Sequence, residues 1–483
     1  MLLADLIDGL DILYTRGNLD VDIEGIAYDS RKVRKGYLFV CIDGTKTDGH
    51  TYVKQALENG AAAFIAQRPL TLETEAPVIL IRNTRTGLAY VSDRFFRHPS
   101  GRLNLVGITG TKGKTTTCHM VRSIFEAAGN KTGMIGTLGA RIGDRVLYSE
   151  RTTPESLDLQ QLFSQMADEG VKDVVMEVSS QGLALHRVKY CEFDTGVFTN
   201  LSRDHISPVE HGSMEEYLEA KSILFRYCKT GLVNKDCRYA DRVVEKAGCE
   251  ILTYGIDSDA DIKAANPVYM QGGVRFSMVS PWYNRDFNVG IPGRFTVYNA
   301  LAAASVCGVA GIPEDAVARG LENVQVPGRA EPVDTGRGFS VIIDYAHTPD
   351  SLENILETVR AFTAGRVICV FGCGGDRDRS KRPMMGNISG RYADYTVITS
   401  DNPRTEDPDA IISQIEEGIK TTSARYVCIT DRREAIRHAL TAAATGDVVV
   451  LAGKGHETYQ AFMDKTVYFD EREVVREILD SDF

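Results

Sequence analysis

The run Gly110-Thr111-Lys112-Gly113-Lys114-Thr115-Thr116 carries the residue types of a phosphate cradle. Residues 103–108 before it read as a buried strand, and residues 117–128 after it as a helix. Glycines let backbone N–H groups approach phosphate oxygens, and the helix N-terminus adds the positive end of its dipole. Lys114 would then meet the outer phosphates and Thr115 a magnesium ion. The glycine spacing is shorter than in the full P-loop pattern. A glycine turn without a ligand is the plain alternative, but a Lys-Thr-Thr run at a helix start argues against it.

Further polar groups stand where apolar runs end. Glu177 closes the run Val174-Val175-Met176, where a carboxylate is costly unless it meets a cation. Magnesium beside a nucleotide is one partner; an ion pair or a helix-cap contact is the alternative. Thr199-Asn200-Leu201-Ser202-Arg203-Asp204-His205 follows the run 195–198, and His205 is either a second metal ligand or an ordinary hydrogen-bonding residue. Residues 212–227 read as a helix in which Tyr217, Leu218, Ile223 and Leu224 pack and Lys221 is exposed. Farther on, Asp344-Tyr345-Ala346-His347, the glycine-rich and charged loop 372–383, Asp401-Asn402-Pro403-Arg404 and Gly453-Lys454-Gly455-His456-Glu457 each follow an apolar run. Any one of them reads as a solvated turn. Together, at successive strand ends of one sheet, they favour a shared site.

The elements that must position these groups suggest an α/β chain of three domains. Residues 1–97 hold short strands (26–29, 37–41) and a helix (51–59), and His98-Pro99-Ser100-Gly101 reads as a linker. Residues 98–326 hold the phosphate loop, with a further helix at 156–169 and a strand at 171–178, which points to a central P-loop ATPase-like parallel sheet. Pro327-Gly328-Arg329 marks the next break. Residues 327–483 alternate apolar runs (340–343, 367–371, 396–399, 426–429, 448–451) with amphipathic stretches such as 351–361, the pattern of a Rossmann-like parallel sheet with helices on both faces. The net charge of −11 disfavours general nucleic-acid or polybasic membrane binding. Without a membrane-spanning run or a basic signal-peptide start, a cytoplasmic protein is expected. The ten cysteines form no Cys-x-x-Cys and read as buried thiols of a reducing compartment.

On these motifs the chain resembles the Mur ligases, the ATP-dependent amide-bond-forming enzymes of peptidoglycan synthesis, over essentially its whole length. Asn299 before an Ala-rich helix and Pro327-Gly328-Arg329 belong to the same set. Folylpolyglutamate synthases share part of it. Asp401-Asn402-Pro403-Arg404 with Gly453-Lys454-Gly455-His456-Glu457 is most similar to the member that adds the third residue of the stem peptide, in the form associated with meso-diaminopimelate rather than lysine.

The resemblance implies roles. Gly110, Thr111, Lys112, Gly113, Lys114, Thr115 and Thr116 would hold ATP, with Asn299 at adenine and Arg329 and Asp344 elsewhere around the nucleotide. Thr115, Glu177, His205 and Lys221 (carbamylated by carbon dioxide) would hold magnesium, and Lys114, Glu177, His205 and Lys221 would serve catalysis. Ser30 would meet the uridine end of a UDP-N-acetylmuramoyl dipeptide, and Thr152, Thr153, Ser179 and Arg187 its sugar-peptide. Arg377, Asp401, Asn402, Pro403, Arg404, Gly453 and Glu457 would hold the diamino acid. A monomer is implied. Two positions depart from the family: Thr296 stands where Asn or His is frequent, and Leu185 where some members have a substrate-site glutamine. The alternatives are a ligase for lysine or another diamino acid, a folylpolyglutamate-type ligase, and a nucleotide-binding regulator without ligation.

Overall fold

The computed structural model describes residues 1–44, 47–71, 74–202, 210–270 and 272–482. No helix among them is long and apolar enough to cross a membrane. The chain forms two compact units, one of Met1–Lys263, Met278–Asn284 and Tyr298–Gly320, the other of Ala264–Ser277, Arg285–Val297 and Leu321–Phe483.

The first unit contains two sheets. One is built from β1 (Ile12–Arg16), β2 (Gly25–Ala27), β3 (Tyr37–Val40), β4 (Ala61–Ala66) and β5 (Val78–Ile81), in the order β1-β5-β4-β3-β2. Only β1 runs antiparallel to its neighbour. Side-chain alternation divides its core. Leu38, Val40, Ala63, Ile65 and Ile79 pack with Leu88 and Val91 of the helix Thr84–Phe95. Phe39, Cys41, Phe64 and Ala66 pack with Val53 and Ala56 on the other side.

The second sheet takes β6 (Asn104–Thr109), β7 (Thr132–Gly136), β8 (Gly139–Ile142), β9 (Arg145–Leu147), β10 (Asp173–Glu177), β11 (Phe193–Phe198), β12 (Cys228–Asn234) and β13 (Glu250–Gly255) in the order β13-β12-β11-β6-β10-β7-β8-β9. From β13 to β7 neighbours are parallel, and β8 and β9 close the edge antiparallel. The strand β6 is flanked by β10 and β11, so successive connections leave it in opposite directions and open a crevice at its carboxyl end. Register brings Glu177 opposite Ile108 and Phe198 opposite Thr109, at the rim of that crevice. The strand β14 (Ile262–Met270) begins in this unit, where Ile262 pairs with Tyr254.

The second unit contains most of β15 (Gly273–Val279) and β16 (Asn284–Val289). Its main sheet takes β17 (Glu331–Val333), β18 (Ser340–Asp344), β19 (Val367–Phe371), β20 (Tyr395–Ile398), β21 (Arg425–Cys428) and β22 (Val448–Ala452) in the order β17-β18-β22-β19-β20-β21. All pairs but β17–β18 are parallel. Val341, Ile343, Ile368, Val370, Val449 and Leu451 face the helices Arg432–Ala442 and Glu471–Asp482. On the other face Thr396 meets Ser389 of the helix Lys381–Tyr392, so helices cover both sides as the apolar runs require. A hairpin of β23 (Tyr459–Ala461) and β24 (Thr466–Tyr468) follows.

Several expected elements have different ends because caps outrank apolar periodicity. The helix expected over 351–361 is Pro349–Arg360, started by a Thr348–Ser351 capping box. The strand expected over 26–29 ends at Ala27, because Asp29 caps a 3₁₀ turn, Ser30–Lys32. The helix expected over 212–227 is Met214–Ser222 capped by Ser213, followed by a 3₁₀ turn, Ile223–Arg226. Seven of the cysteines are buried as expected, whereas Cys237 and Cys249 are half-buried and Cys428 is exposed.

In the second unit Arg432 and Glu471 form an ion pair at 2.7 Å, both side chains fully buried. Breaking a buried pair strands a charge, whereas replacing both members removes the desolvation cost as well. Arg432→Met should therefore cost about 3–5 kcal/mol in urea denaturation. The double change Arg432→Met/Glu471→Leu should recover most of that loss.

Candidate active site

The phosphate loop bridges β6 and the helix Lys114–Ala127. Gly110 (φ +150°) and Gly113 (φ +86°) occupy backbone space that favours glycine. A Cβ at 110 would collide with Thr199 Oγ1, and one at 113 would lie 2.5 Å from Asn299 Oδ1. The loop is held from beyond β11. Asn200 O accepts from Thr111 N at 2.9 Å and Asn200 Oδ1 from Lys112 N at 3.0 Å. The Lys112 carbonyl in turn accepts from Thr199 Oγ1 and Asn200 Nδ2. Lys114 Nζ folds back onto the carbonyls of Gly110 (2.9 Å) and Thr111 (3.1 Å). Thr117 Oγ1 donates to Asn299 Oδ1 at 3.3 Å, which ties the nearly buried Asn299 to this helix.

Lys221 corrects the sequence expectation. It is 1% exposed, not a surface lysine, and donates to Gly110 O at 2.9 Å. One helical turn separates it from the buried Tyr217, whose ring lies 4.4 Å from Nζ, so it shares the inward face. Two ammonium groups thus converge on one loop carbonyl.

Glu177, 2% exposed, accepts from Thr115 Oγ1 at 3.0 Å, Thr137 N at 2.9 Å and Thr137 Oγ1 at 3.2 Å. Three donors replace its lost hydration. The Thr115 hydroxyl and the Glu177 carboxylate are oxygen donors of the type a hard divalent cation takes, so magnesium fits here. His205, the other expected ligand, lies outside the described residues.

Thr152, Thr153, Ser179 and Arg187 form a chain of contacts beside Glu177. Thr152 Oγ1 lies 3.1 Å from Thr137 Oγ1. Thr153 Oγ1 donates to Glu177 O and accepts from Ser179 N. Arg187 donates to Thr153 O (3.1 Å) and to Glu155 Oε1 (2.9 Å). Arg85 and Arg151 also approach Glu155, at 3.3 and 3.6 Å. Three guanidinium groups on one carboxylate leave positive charge for an anion. Ser30 stands apart: its Oγ donates to Gln55 Oε1, and among the described residues no hydrogen bond joins it to this group. Of the two positions that depart from the family pattern, Leu185 is half-buried at the end of the helix Ser180–Ala184, and Thr296 Oγ1 donates to Pro292 O.

In the second unit, the polar turns after β18, β19, β20 and β22 gather as the sheet order requires. Asp344 is half-buried, desolvation raises its pKa, and its Oδ2 accepts from Ala330 N at 2.7 Å. Arg329 Cζ lies 4.9 Å from the Tyr345 ring, which packs between His347 and His456. Asn402 is the hub. It donates to Glu457 Oε2 (2.8 Å), and its Oδ1 accepts from Lys454 Nζ (3.1 Å) and Ala461 N (3.0 Å). Burial, then the charge of Asp401, raises the Glu457 pKa, while burial lowers that of Lys454. Asp401 Oδ1 accepts from Asn402 N, but its buried Oδ2 has no partner among the described residues. Gly453 (φ +118°) passes close by, where a Cβ would lie 2.9 Å from that oxygen. Arg404 (φ +53°) spends Nη1 on Gly375 O at 2.9 Å, leaving Nε and Nη2 without a hydrogen bond among the described residues. Pro403 packs its carbonyl on Gly375, and Arg377 is exposed. An open guanidinium edge beside two acids suits an amino-acid head, carboxylate to Arg404 and ammonium to the acids.

Sequence reasoning missed Thr137, Glu155, Arg85 and the Lys454 hub contact. Lys454 stood in a noted loop. The others are joined to the site only by chain crossings.

The first 95 residues match the Mur ligase family, catalytic domain, over 22–95; residues 108–307 match the Mur ligase middle domain and 328–455 the Mur ligase, glutamate ligase domain. The UDP-N-acetylmuramoyl-L-alanyl-D-glutamate--2,6-diaminopimelate ligase of Caldanaerobacter subterraneus subsp. tengcongensis is 51% identical over 480 residues, 99% of each chain. The chain belongs to the Mur ligase family. Its three-domain α/β fold is that of a Mur ligase: a solved structure of a UDP-N-acetylmuramoyl-L-alanyl-D-glutamate--2,6-diaminopimelate ligase superimposes with a TM-score of 0.75 at 31% identity, covering 100% of this chain and 99% of that one. Folylpolyglutamate synthase of Mycobacterium tuberculosis, complexed with ADP and AMPPCP, shares the fold at 18% identity, with a TM-score of 0.63 over 76% of this chain and 92% of that one.

His456 supplies a pH test. Burial first, then Arg329 and Arg472, pulls its pKa down from 6.5 to about 4. The unfolded chain therefore binds a proton that the folded chain refuses between those values, so stability falls as pH drops below 6.5 and the loss is complete below 4. Urea midpoints at pH 7 and 4.5 should show His456→Gln losing about 2–3 kcal/mol less than the native protein over that interval.

Proposed function

We propose that this Mur ligase adds meso-2,6-diaminopimelate to UDP-N-acetylmuramoyl-L-alanyl-D-glutamate, consuming ATP and releasing ADP and phosphate, in peptidoglycan synthesis. The observation that carries the diamino acid is the open Nε/Nη2 edge of Arg404 beside Asp401 and Glu457, in a chain 51% identical to a ligase of that name. Diaminopimelate ends in a second amino-acid head; the lysine side chain ends in an ammonium with no carboxylate beside it.

A carboxylate is a poor acyl donor, because it is a weak electrophile without a good leaving group, so the dipeptide carboxylate first takes the γ-phosphoryl group and ADP leaves. The acyl phosphate is then attacked by the amine, and the tetrahedral intermediate collapses to amide and phosphate. The first unit serves the phosphoryl transfer. Gly110–Thr116 amides and Lys114 cradle the phosphates, and Asn299 meets adenine. The cluster of Thr152, Thr153, Ser179 and Arg187 holds the sugar-peptide, and Ser30 the uridine end. Thr115, Glu177 and His205 would hold magnesium, which would supply charge neutralisation for the phosphoryl transfer. Lys221 fits the role of a carbamylated ligand: buried beside the phosphate loop, its ammonium would lose one proton to give the amine, and the amine joined to carbon dioxide would lose a second to become an anionic oxygen donor. The second unit serves the amine, with Arg377, Asp401, Asn402, Pro403, Arg404, Gly453 and Glu457 around the diamino acid. The linkers at 98–101 and 327–329 bound the three domains, and the enzyme is a cytoplasmic monomer.

The test is an ADP-release assay with the UDP-muramoyl dipeptide, bicarbonate and a panel of meso-diaminopimelate, L-lysine and lanthionine. Diaminopimelate should be the preferred acceptor; preferred use of lysine would refute the assignment, and ATP turnover without any acceptor would favour a regulator instead. Arg404→Ala removes a bidentate charge pair, a loss on the order of 2–5 kcal/mol. It should raise the KM for diaminopimelate accordingly and leave ATP binding within about twofold.

A further inference from the structure

Arg404 reaches its position in a loop whose geometry is imposed from behind. Its φ of +53° is unusual for arginine, and its own backbone contributes one sheet-edge bond, N to Ala461 O at 3.0 Å. Two residues on, Glu406 accepts both arms of the Arg382 fork, Nη1 to Oε2 and Nη2 to Oε1, each at 2.9 Å. The Arg382 side chain is fully buried. The same two nitrogens also reach Gln414 Oε1 (2.8 Å) and Gly374 O (3.2 Å), while Nε has no hydrogen-bond partner among the described residues. Glu406 also accepts from Asp376 N at 2.7 Å and pairs with Arg379 at 3.1 Å. Hydrogen bonding from Arg382 first, and from Asp376 N, holds its pKa down at about 2. The pair thus clips the first turn of the helix Lys381–Tyr392 to the loop of residues 401–406, and Asp376 N and Arg379 bring the loop of residues 372–380 onto the same carboxylate. The same seam contains Gly375 N to Asn402 O (2.9 Å), Thr405 Oγ1 to Asp376 Oδ1 (2.5 Å) and the Arg404 Nη1 bond to Gly375 O. Gly375 has no room for a side chain, because a Cβ would collide with Pro403 O. The seam occupies Nη1 and leaves Nε and Nη2 of Arg404 without a hydrogen bond among the described residues.

We propose that the Arg382–Glu406 pair is a positioning device that aims the Arg404 guanidinium, and so sets discrimination between diamino acids that end in a carboxylate and those that do not. Neither residue touches the substrate. A fork-to-carboxylate pair suits this task because it fixes both distance and orientation, which a lysine or an amide cannot do. The inference rests on the ligase reading above.

Steady-state kinetics on the full-length protein, with ATP, magnesium, bicarbonate and the UDP-muramoyl dipeptide, test it. Glu406→Gln should raise the KM for diaminopimelate by about 10–100-fold, hold kcat and the KM for ATP within about threefold, and lower the diaminopimelate-over-lysine ratio of kcat/KM at least about tenfold. Glu406→Asp, which keeps the charge, should fall between it and the native enzyme. On an Arg404→Ala background, Glu406→Gln should add less than about threefold, because its effect passes through Arg404. Equal rises in KM for ATP and diaminopimelate, or a full multiplicative effect on that background, would assign the pair to general stability and overturn the proposal. An unchanged KM in both Glu406 variants of an enzyme that uses diaminopimelate overturns the proposal alone, whereas a native enzyme that uses lysine and not diaminopimelate removes the ligase reading and the proposal with it.

Discussion

A carboxylate taken out of water must recover its hydration from donors or surrender its charge. Each unit of this protein has such a group at the carboxyl end of a parallel strand. In the first, Glu177 draws on the Thr115 hydroxyl and on the amide and hydroxyl of Thr137. Those bonds link the phosphate loop, the end of β7 and the end of β10, so the carboxylate orders the loops around it. In the second, Asp401 keeps one buried oxygen without a partner among the described residues, while the neighbouring Glu457 is pushed toward its neutral form. Lys454 Nζ, fully buried and 3.7 Å from Glu457 Oε2, supplies a cation to this pair.

Parallel topology explains why these groups meet. In the second unit, β18, β22, β19 and β20 are consecutive in the sheet although they come from distant parts of the chain. Their carboxyl ends lie side by side, and the loops that leave them meet at one rim. In the first unit the reversal of strand order around β6 brings Thr199 and Asn200 onto the phosphate loop. Glycines make the close approaches possible: Gly110 against Thr199, and Gly375 against the Pro403 carbonyl.

Positive charge is distributed with equal economy of space. Arg187, Arg85 and Arg151 share Glu155. Cations held close together in this way repel one another, and an anionic ligand relieves the repulsion. A chain of net charge −11 needs such local concentrations to attract anionic substrates at all.

Much of this was legible without coordinates. Alternating apolar runs and amphipathic stretches announce parallel sheets, since only strands buried on both faces are apolar throughout. The glycine-Lys-Thr turn, Glu177 after its strand and the four charged turns of residues 344–457 were all visible as local patterns. Lys221 was not, because a lysine four residues from a tyrosine reads as exposed until the helix's inward face is known. Nor were Glu155, Thr137 and the Arg382–Glu406 strut, whose partners lie far along the chain. Local periodicity and turn chemistry are written in neighbouring residues, so the sequence by itself determined the elements and the loops that carry the chemistry. Which charges are buried, and against what, depends on chain crossings between those elements, and only the tertiary structure decided it.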